Sequence, residues 1–136
     1  MEGSWIVTIS PAVPPGVPPP PSFRAYATCA RGGALIGSDA RRAASKQHGT
    51  WVHLHGNEFA WTLVEQLFND SGDPTGTVRI RTRITITGEN DFVGVSNAEE
   101  HDATGALVSN RCSTIRGERI TIEPLSPQCQ GITPPE

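Results

Sequence analysis

The sequence predicts an all-β protein: an antiparallel, up-and-down β-barrel of eight to nine strands around an interior ligand cavity. Three observations predict this fold. Apolar residues recur at every second position through most of the chain, which is the period of a half-buried strand. Short segments rich in Gly, Asn and Asp separate these runs, as in hairpins. No segment has the period of a helix that would cover an open sheet, so closure into a barrel is the arrangement that removes exposed strand edges.

The strands are predicted in order along the chain. The first covers residues 4–10 and is followed by a proline-rich loop at 11–22, whose prolines cannot join a strand ladder. The remaining strands are predicted at 23–30, 34–37, 49–55, 58–68, 77–87, 92–101, 106–115 and 119–123. The polar stretch 38–47 is predicted as a loop or at most one helical turn, and 116–118 as a turn.

Length and charge favour one globular domain without a nucleic-acid partner. The 136 residues fit a single core, predicted as one domain over 1–124 with a proline-rich tail at 125–136. The formal net charge of −3 and the scattered arginines leave no basic groove for nucleic acid. Arg79, Arg81 and Arg83 alternate along one strand, which indicates a solvated sheet face.

Targeting signals and cysteine usage predict a cytoplasmic location. No apolar run approaches the length of a membrane span, and the amino terminus lacks the basic and apolar regions of a secretory signal. Cys29, Cys112 and Cys129 form an odd set without metal-binding spacing, which favours reduced thiols over a disulfide framework. Cys29 and Cys112 lie within strand patterns and are expected to be buried.

The first and last strands carry a family resemblance. The first strand opens with Gly3-Ser4-Trp5, and Arg119 lies on the last hairpin. A Gly-x-Trp on the first strand with an arginine on the last resembles the structural signature of the lipocalin and calycin superfamily. Further stretches resemble its small bacterial members: residues 23–33, Gly49-Thr50-Trp51, and the series Asp102, Gly105, Cys112, Gly117 and Arg119. The resemblance implies that the Trp5 indole closes one end of the barrel and that the Arg119 guanidinium stacks on it. The superfamily contains carriers and enzymes, so the fold alone does not choose between them.

Hairpin geometry predicts which side chains face the cavity. A two-residue turn at Gly56-Asn57 pairs Leu54 with Phe59 and Val52 with Trp61, so these four would share the interior face with Leu63 and Glu65. A type I turn with a glycine bulge at 102–105 would place Phe92, Ser96, Glu100 and Asn110 inside; without that bulge, Arg111 replaces Asn110. The predicted ligand-binding residues are Cys29, Phe59, Trp61, Leu63, Ile80, Thr82, Ile84, Phe92, Ser96 and Asn110.

Glu65 and Glu100 are the candidate catalytic residues. A carboxyl group desolvated among apolar side chains has a raised pKa and can exchange protons near neutral pH. Two such groups across one cavity would suit an isomerisation, a cyclisation or the hydrolysis of a strained ring. The alternative is that each glutamate is solvated at the rim or bonded to an arginine.

A second cluster would suit a metal ion. His53 and His55 alternate on one strand, and the hairpin brings Glu58 beside them, with His48 or His101 as a further ligand. The predicted register puts this cluster on the outer wall, where exposed, partly paired histidines are the favoured interpretation.

Three functional hypotheses therefore stay open. The first is a cofactor-independent enzyme that acts on an apolar organic substrate through Glu65 and Glu100, with Phe59, Trp61 and Phe92 shaping the site. The second is a carrier of a small hydrophobic metabolite. The third is a metal-dependent barrel that uses His53, His55 and Glu58. No cofactor, nucleic acid or membrane partner is expected, and the sequence predicts no oligomeric state.

Overall fold

Eight strands, hydrogen-bonded in sequence order, form a closed antiparallel barrel in the computed structural model, which describes residues 1–39, 44–133 and 135. Each strand pairs with its neighbours in the chain, and β8 closes the ring against β1. The strands are β1 (Gly3–Pro11), β2 (Phe23–Cys29), β3 (Ala34–Asp39), β4 (Gln47–His55), β5 (Glu58–Phe68), β6 (Pro74–Ile86), β7 (Asp91–Asp102) and β8 (Leu107–Arg119). The predicted fold class is thereby confirmed, with eight strands.

Strand β6 shows most directly how the sequence sets the two faces of the wall. Val78, Thr82 and Ile84 are buried and alternate with exposed Arg79, Arg81 and Arg83. Successive side chains of a strand point to opposite faces, so the aliphatic set enters the core while the arginines remain in solvent. The prediction of a solvated arginine stripe is confirmed.

The predicted turn at 116–118 and the ninth strand at 119–123 are wrong. Strand β8 runs without interruption to Arg119, and residues 120–126 form no strand. Gly117 is the reason for the error. It pairs with Phe92 on one side and Val7 on the other, and a Cβ at this position would overlap the Phe92 ring. The glycine is required by close packing inside a continuous strand and does not mark a turn.

An extra residue in β4 changes the predicted register of the β4–β5 hairpin. His55 pairs with Glu58 as expected, but His53 pairs with Phe59 because Leu54 is accommodated as a bulge. Trp51 and His53 consequently share the inward face with Phe59, whereas Val52 and Leu54 are exposed. The inward placement of Val52 and Leu54 was therefore wrong. The bulge lets the Trp51 indole pack against the core and donate a hydrogen bond from Nε1 to the Ala30 carbonyl, 2.9 Å away.

The β7–β8 hairpin contains two irregularities instead of the predicted one. Gly105 has a φ of +87° and closes the expected turn, in which the Asp102 amide donates to the Ala106 carbonyl at 2.9 Å. Val108 is then an additional bulge, because His101 pairs with Leu107 while Glu100 pairs with Ser109. The second bulge shifts all subsequent pairs by one residue. Arg111 therefore occupies the inward position opposite Ala98, and Asn110 faces outward.

The core is concentrated at one end of the barrel, which we call the closed end. Trp5 is fully buried and packs edge-on against Phe92, with ring centroids 5.0 Å apart. The Arg119 Cζ atom lies 4.2 Å from the centroid of the Trp5 ring. Arg119 also donates hydrogen bonds to the carbonyls of Glu2 and Glu89, which hold the guanidinium over the indole. The plug and its arginine cover were expected from the Gly-x-Trp resemblance, and this geometry is confirmed.

The segments outside the barrel are irregular. Residues 12–22 of the proline-rich loop contain no strand, as predicted, although β1 extends to Pro11, and the described part of the tail contains a 3₁₀ turn (Pro127–Cys129). Of the residues that the structure describes, none belongs to a helix with the length and apolar character needed to cross a membrane. The two ends of the segment predicted as a loop at 38–47 belong to strands, because β3 extends to Asp39 and β4 begins at Gln47. Residues 40–43 of this segment lie outside the described residues.

The three cysteines are all free thiols in different surroundings. Cys29 is buried in the closed end, while Cys112 and Cys129 are exposed. The expected burial of Cys112 was wrong, because the Val108 bulge turns this residue outward opposite Asn97. Burial raises the pKa of the Cys29 thiol to about 11, partly offset by the positive charges of the amino terminus and Arg119. Cys29 is therefore a protonated core residue at neutral pH.

Candidate functional site: a pocket in the open half of the barrel

A pocket of about 560 Å³ occupies the half of the barrel opposite the closed end. It is bounded by inward-facing side chains of the strands and by residues of the proline-rich loop, which contributes Ala12, Val13 and Pro20. Trp61 lies at the boundary with the closed end, since it lines the pocket and also packs edge-on against Phe92 at 5.7 Å between ring centroids. We call this space the inner pocket.

Most of the lining of the inner pocket is apolar. Small residues such as Ala25, Ala27 and Ala98 leave the space open, and larger side chains surround it. The larger apolar lining residues are Val7, Ile9, Phe23, Trp61, Leu63, Ile80 and Ile115. An apolar lining with a few placed polar groups is the usual composition of a small-molecule site.

One side of the inner pocket carries a row of hydroxyl groups. Thr82, Ser96 and Ser113 are directly paired on β6, β7 and β8 and all line the pocket. The Thr82 and Ser96 hydroxyl oxygens are 3.0 Å apart, so one of them donates to the other. Ser96 Oγ is 3.5 Å from the Arg81 carbonyl, at the outer limit of a hydrogen bond. Within the described part of the chain, the Ser113 hydroxyl has no hydrogen-bond partner. We call these three residues the hydroxyl row.

Arg111 adds a cation to the same side of the pocket. It lies two residues before Ser113 on β8, with Ala98 as its cross-strand partner, and it lines the inner pocket. Its side chain is largely exposed and forms no ion pair with any residue that the structure describes. The guanidinium therefore presents donors to the mouth of the pocket.

The opposite side of the barrel carries carboxyl and amide groups. Asp39 at the end of β3 and Gln47 at the start of β4 both line the inner pocket. Gln47 Nε2 donates a hydrogen bond to Glu65 Oε2 at 2.8 Å, and both side chains are buried. Glu65 itself is 2% exposed and is not part of the pocket lining. The buried carboxyl is therefore connected to the pocket through its amide partner.

Five of the ten predicted ligand-binding residues line the inner pocket with side chains on the inward face of the barrel: Trp61, Leu63, Ile80, Thr82 and Ser96. Asn110 lies at the rim, where its outward side chain accepts a hydrogen bond from Asn97. The remaining four lie towards the closed end and outside the pocket lining: Cys29, Phe59, Ile84 and Phe92.

The two predicted catalytic carboxyls share the inward face but are separated in the sheet. Glu65 pairs with Val78, which pairs with Glu100, so the Val78 side chain lies between them. Glu100 is half-buried and, like Glu65, is not among the residues that line the pocket. Their sequence-predicted roles as an acid/base pair remain a prediction.

The structure brings two of the three candidate metal ligands together and separates the third from them. The Leu54 bulge puts His53 on the inward face, where its ring lies 4.7 Å from that of Phe59 and its Nε2 contacts the Gly56 carbonyl. His55 instead faces Glu58, with 3.5 Å between Nε2 and Oε2. Within the described ranges, no group of three or more His, Cys, Asp or Glu side chains is arranged to hold a metal ion.

Two carboxyl groups on β7 have lowered pKa values. Asp102 accepts hydrogen bonds from the Thr104 hydroxyl and from the backbone amides of Thr104 and Ala106, and these bonds lower its pKa. On the outer wall, the 2.9 Å contact with Arg81 lowers the pKa of Glu99. Both groups stabilise the turn and the wall, and neither lines the pocket.

Sequence reasoning missed Asp39, Gln47 and Ser113 as pocket residues. Asp39 and Gln47 were assigned to a loop because the short apolar pattern of β3 ends at Gly37. Ser113 was placed outside because the Val108 bulge was not predicted. The alternative register of the β7–β8 hairpin, without the glycine bulge, places Arg111 inward. Because side chains alternate along a strand, that register also places Ser113 inward.

Comparisons with known proteins add no family assignment. A scan against protein-family models found no match to the chain, and a search of curated proteins found no relative. The fold and the inner pocket therefore rest on the chain's own geometry.

Proposed function

We propose that this barrel binds one small, mostly apolar organic molecule in the inner pocket. The observation that carries the proposal is a pocket of about 560 Å³ with an apolar lining and few polar groups. Pockets of this size and composition enclose most of a small organic molecule and gain affinity from the apolar area removed from water.

The proposal includes a lipocalin-like kinship. Support comes from the up-and-down barrel, from the fully buried Trp5 and from the Arg119 guanidinium that covers it. This likeness concerns the scaffold, and the function is argued from the pocket. The three free thiols support a reducing, cytoplasmic environment for the protein.

A cavity-filling variant tests the binding function. Ala98→Phe places a ring in the pocket, and Ala60→Phe places the same ring on the outer wall, where Ala60 pairs with Arg83 and Val52. Titration with N-phenyl-1-naphthylamine, a neutral apolar dye, is expected to give saturable fluorescence for the wild type and Ala60→Phe. Ala98→Phe should lose this signal, because the ring occupies the binding volume.

Circular dichroism spectra must show that both variants remain folded. Saturable binding that survives in Ala98→Phe would place the dye outside the barrel and contradict the proposal. Native mass spectrometry of protein purified from its own host then identifies the occupant by its mass.

Catalysis is a second candidate function, favoured by the buried Glu65 carboxyl. Gln47 lines the pocket and donates to this carboxyl at 2.8 Å, so a buried carboxyl group adjoins the ligand volume. In an acid/base mechanism Glu65 would exchange a proton with the substrate after Gln47 moves aside, with Glu100 as the second group. No cofactor is required for that chemistry.

Glu65→Gln separates catalysis from binding. The variant keeps the size of the side chain and an acceptor oxygen, but an amide cannot serve as an acid/base group near neutral pH. An enzyme would retain dye binding and lose conversion of the molecule that co-purifies with the wild type, measured by mass spectrometry. Conversion at the wild-type rate would exclude Glu65 as the acid/base group, and the same comparison with Glu100→Gln tests the second carboxyl.

A further inference from the structure

The polar groups of the inner pocket lie on two opposite sides of the barrel. The hydroxyl row and Arg111 lie on β6 to β8, whereas Asp39 lies on β3, four strands from β7 in a ring of eight. Strands four positions apart in an eight-stranded ring face one another across the barrel. The hydroxyl and guanidinium groups therefore lie on one side of the pocket, and Asp39 and Gln47 line the other.

The hydroxyl row has O–H groups that can donate hydrogen bonds to a ligand. Thr82 and Ser96 use one O–H group in their mutual hydrogen bond. If Ser96 donates, the Thr82 O–H group is left for a ligand; if Thr82 donates, the Ser96 O–H group has only the 3.5 Å contact with the Arg81 carbonyl. The Ser113 O–H group and the Arg111 guanidinium have no partner within the described part of the chain. Polar groups in a mostly apolar pocket stabilise a ligand that satisfies them and select against one that does not.

We propose that the inner pocket selects an apolar molecule with an acceptor oxygen at one end, a carbonyl or a carboxylate, which the hydroxyl row and Arg111 bind. This inference rests on the proposed binding function and specifies its ligand class. The apolar body of the ligand lies against Trp61 and Leu63, and the acceptor oxygen points towards β7 and β8.

Three naphthalene probes of nearly the same shape test the ligand class by isothermal titration calorimetry. 2-Acetylnaphthalene carries a carbonyl, 2-naphthoate a carboxylate, and 2-isopropenylnaphthalene no acceptor. The test variant combines Thr82→Val, Ser96→Ala and Ser113→Ala, which removes the hydroxyl row. Its control is Thr114→Val, because Thr114 follows Ser113 on the exposed face of β8.

The triple variant is expected to bind 2-acetylnaphthalene about tenfold more weakly than the wild type, since hydrogen bonds to the carbonyl are lost. Its affinity for 2-isopropenylnaphthalene should be unchanged, and Thr114→Val should match the wild type for every probe. Arg111→Gln, controlled by Arg116→Gln on the outer wall, then distinguishes the two head groups. A loss of about tenfold for 2-naphthoate alone assigns a carboxylate, and unchanged naphthoate binding assigns a neutral carbonyl.

Equal losses for the ketone and the hydrocarbon in the triple variant would overturn the inference, because the hydroxyl row would then only shape the pocket. Wild-type binding of the hydrocarbon at least tenfold tighter than that of both oxygenated probes would also overturn it, and in both cases the binding function would stand. If the wild type binds none of the three probes, the proposed function fails, and the ligand class fails with it.

Discussion

The closed end and the open half of this barrel are built from the same strands with opposite packing. At the closed end, Trp5, Phe92 and Trp61 stack edge to face, and Gly117 lets the Phe92 ring approach β8 directly. In the open half, alanines occupy many inward positions and the core is replaced by a pocket of about 560 Å³. We infer that the fold is stabilised mainly from the closed end, which leaves the other end free to be shaped for a ligand.

Removal of the plug is expected to give the largest effect. Trp5→Ala deletes a fully buried indole together with the Arg119 stack, at an expected cost of ~4 kcal/mol in the free energy of unfolding. Urea denaturation followed by circular dichroism measures this cost. A loss below ~1.5 kcal/mol would mean that the closed end does not dominate stability.

Truncation of one leucine in each half compares how tightly the two halves are packed. Leu35 packs in the closed end and Leu63 lines the inner pocket, and both are buried. We expect Leu35→Ala to cost ~3 kcal/mol of unfolding free energy and Leu63→Ala ~1 kcal/mol less, because Leu63 already has an open space on one side. The same denaturation experiment yields both values. Equal costs would indicate that the pocket is packed as tightly as the plug.

The smallest expected effects concern the reactivity of the thiols and the pH dependence of the free energy of unfolding. Cys29 should react with a disulfide reagent far more slowly than the exposed Cys112 and Cys129, since it is buried and its pKa is raised to about 11. The folded state keeps the Cys29 thiol protonated at pH values above 9.0, its ordinary pKa. The contribution of Cys29 to the free energy of unfolding is therefore complete below about pH 9 and falls as the pH rises towards 11.

Cys29→Ala provides the comparison for that pH dependence. The difference in unfolding free energy between the wild type and Cys29→Ala should shrink between pH 9 and 11, as measured by urea denaturation across that range. A constant difference would show that the thiol titrates alike in the folded and unfolded states. Cys112→Ala, which removes an exposed thiol, should show no such trend.

Much of the fold was predictable because alternation is a local property. The β6 pattern, the Gly56-Asn57 turn, the β5 boundaries and the Trp5 plug all follow from residues close together in the chain or from one recognisable motif. Those signals were sufficient to predict a closed barrel and several of its inward residues, including Trp61 and Thr82.

The registers were less predictable because bulges depend on tertiary packing. Leu54 bulges so that Trp51 reaches the interior face, and Val108 bulges after a turn that already contains Gly105. Neither extra residue has a distinctive local sequence, since each is an ordinary aliphatic residue in a strand. The faces of β4 around the bulge and of the β8 pocket residues were therefore misassigned, whereas the pocket residues on β5, β6 and β7 were placed correctly.

The Val108 bulge has a consequence for how this chain can change over evolutionary time. On β8 the inward residues Arg111 and Ser113 alternate with Asn110, Cys112 and Thr114, which face solvent. Loss of one residue between Gly105 and Ser109 would exchange these two sets without altering any of them. The inner wall would then present an amide, a thiol and a methyl-bearing hydroxyl in place of a guanidinium and a serine. The same shift would move Gly117 away from Phe92 and Arg119 away from Trp5. A single-codon deletion in a surface hairpin would thus change the ligand preference of the barrel and disturb the plug at its other end together.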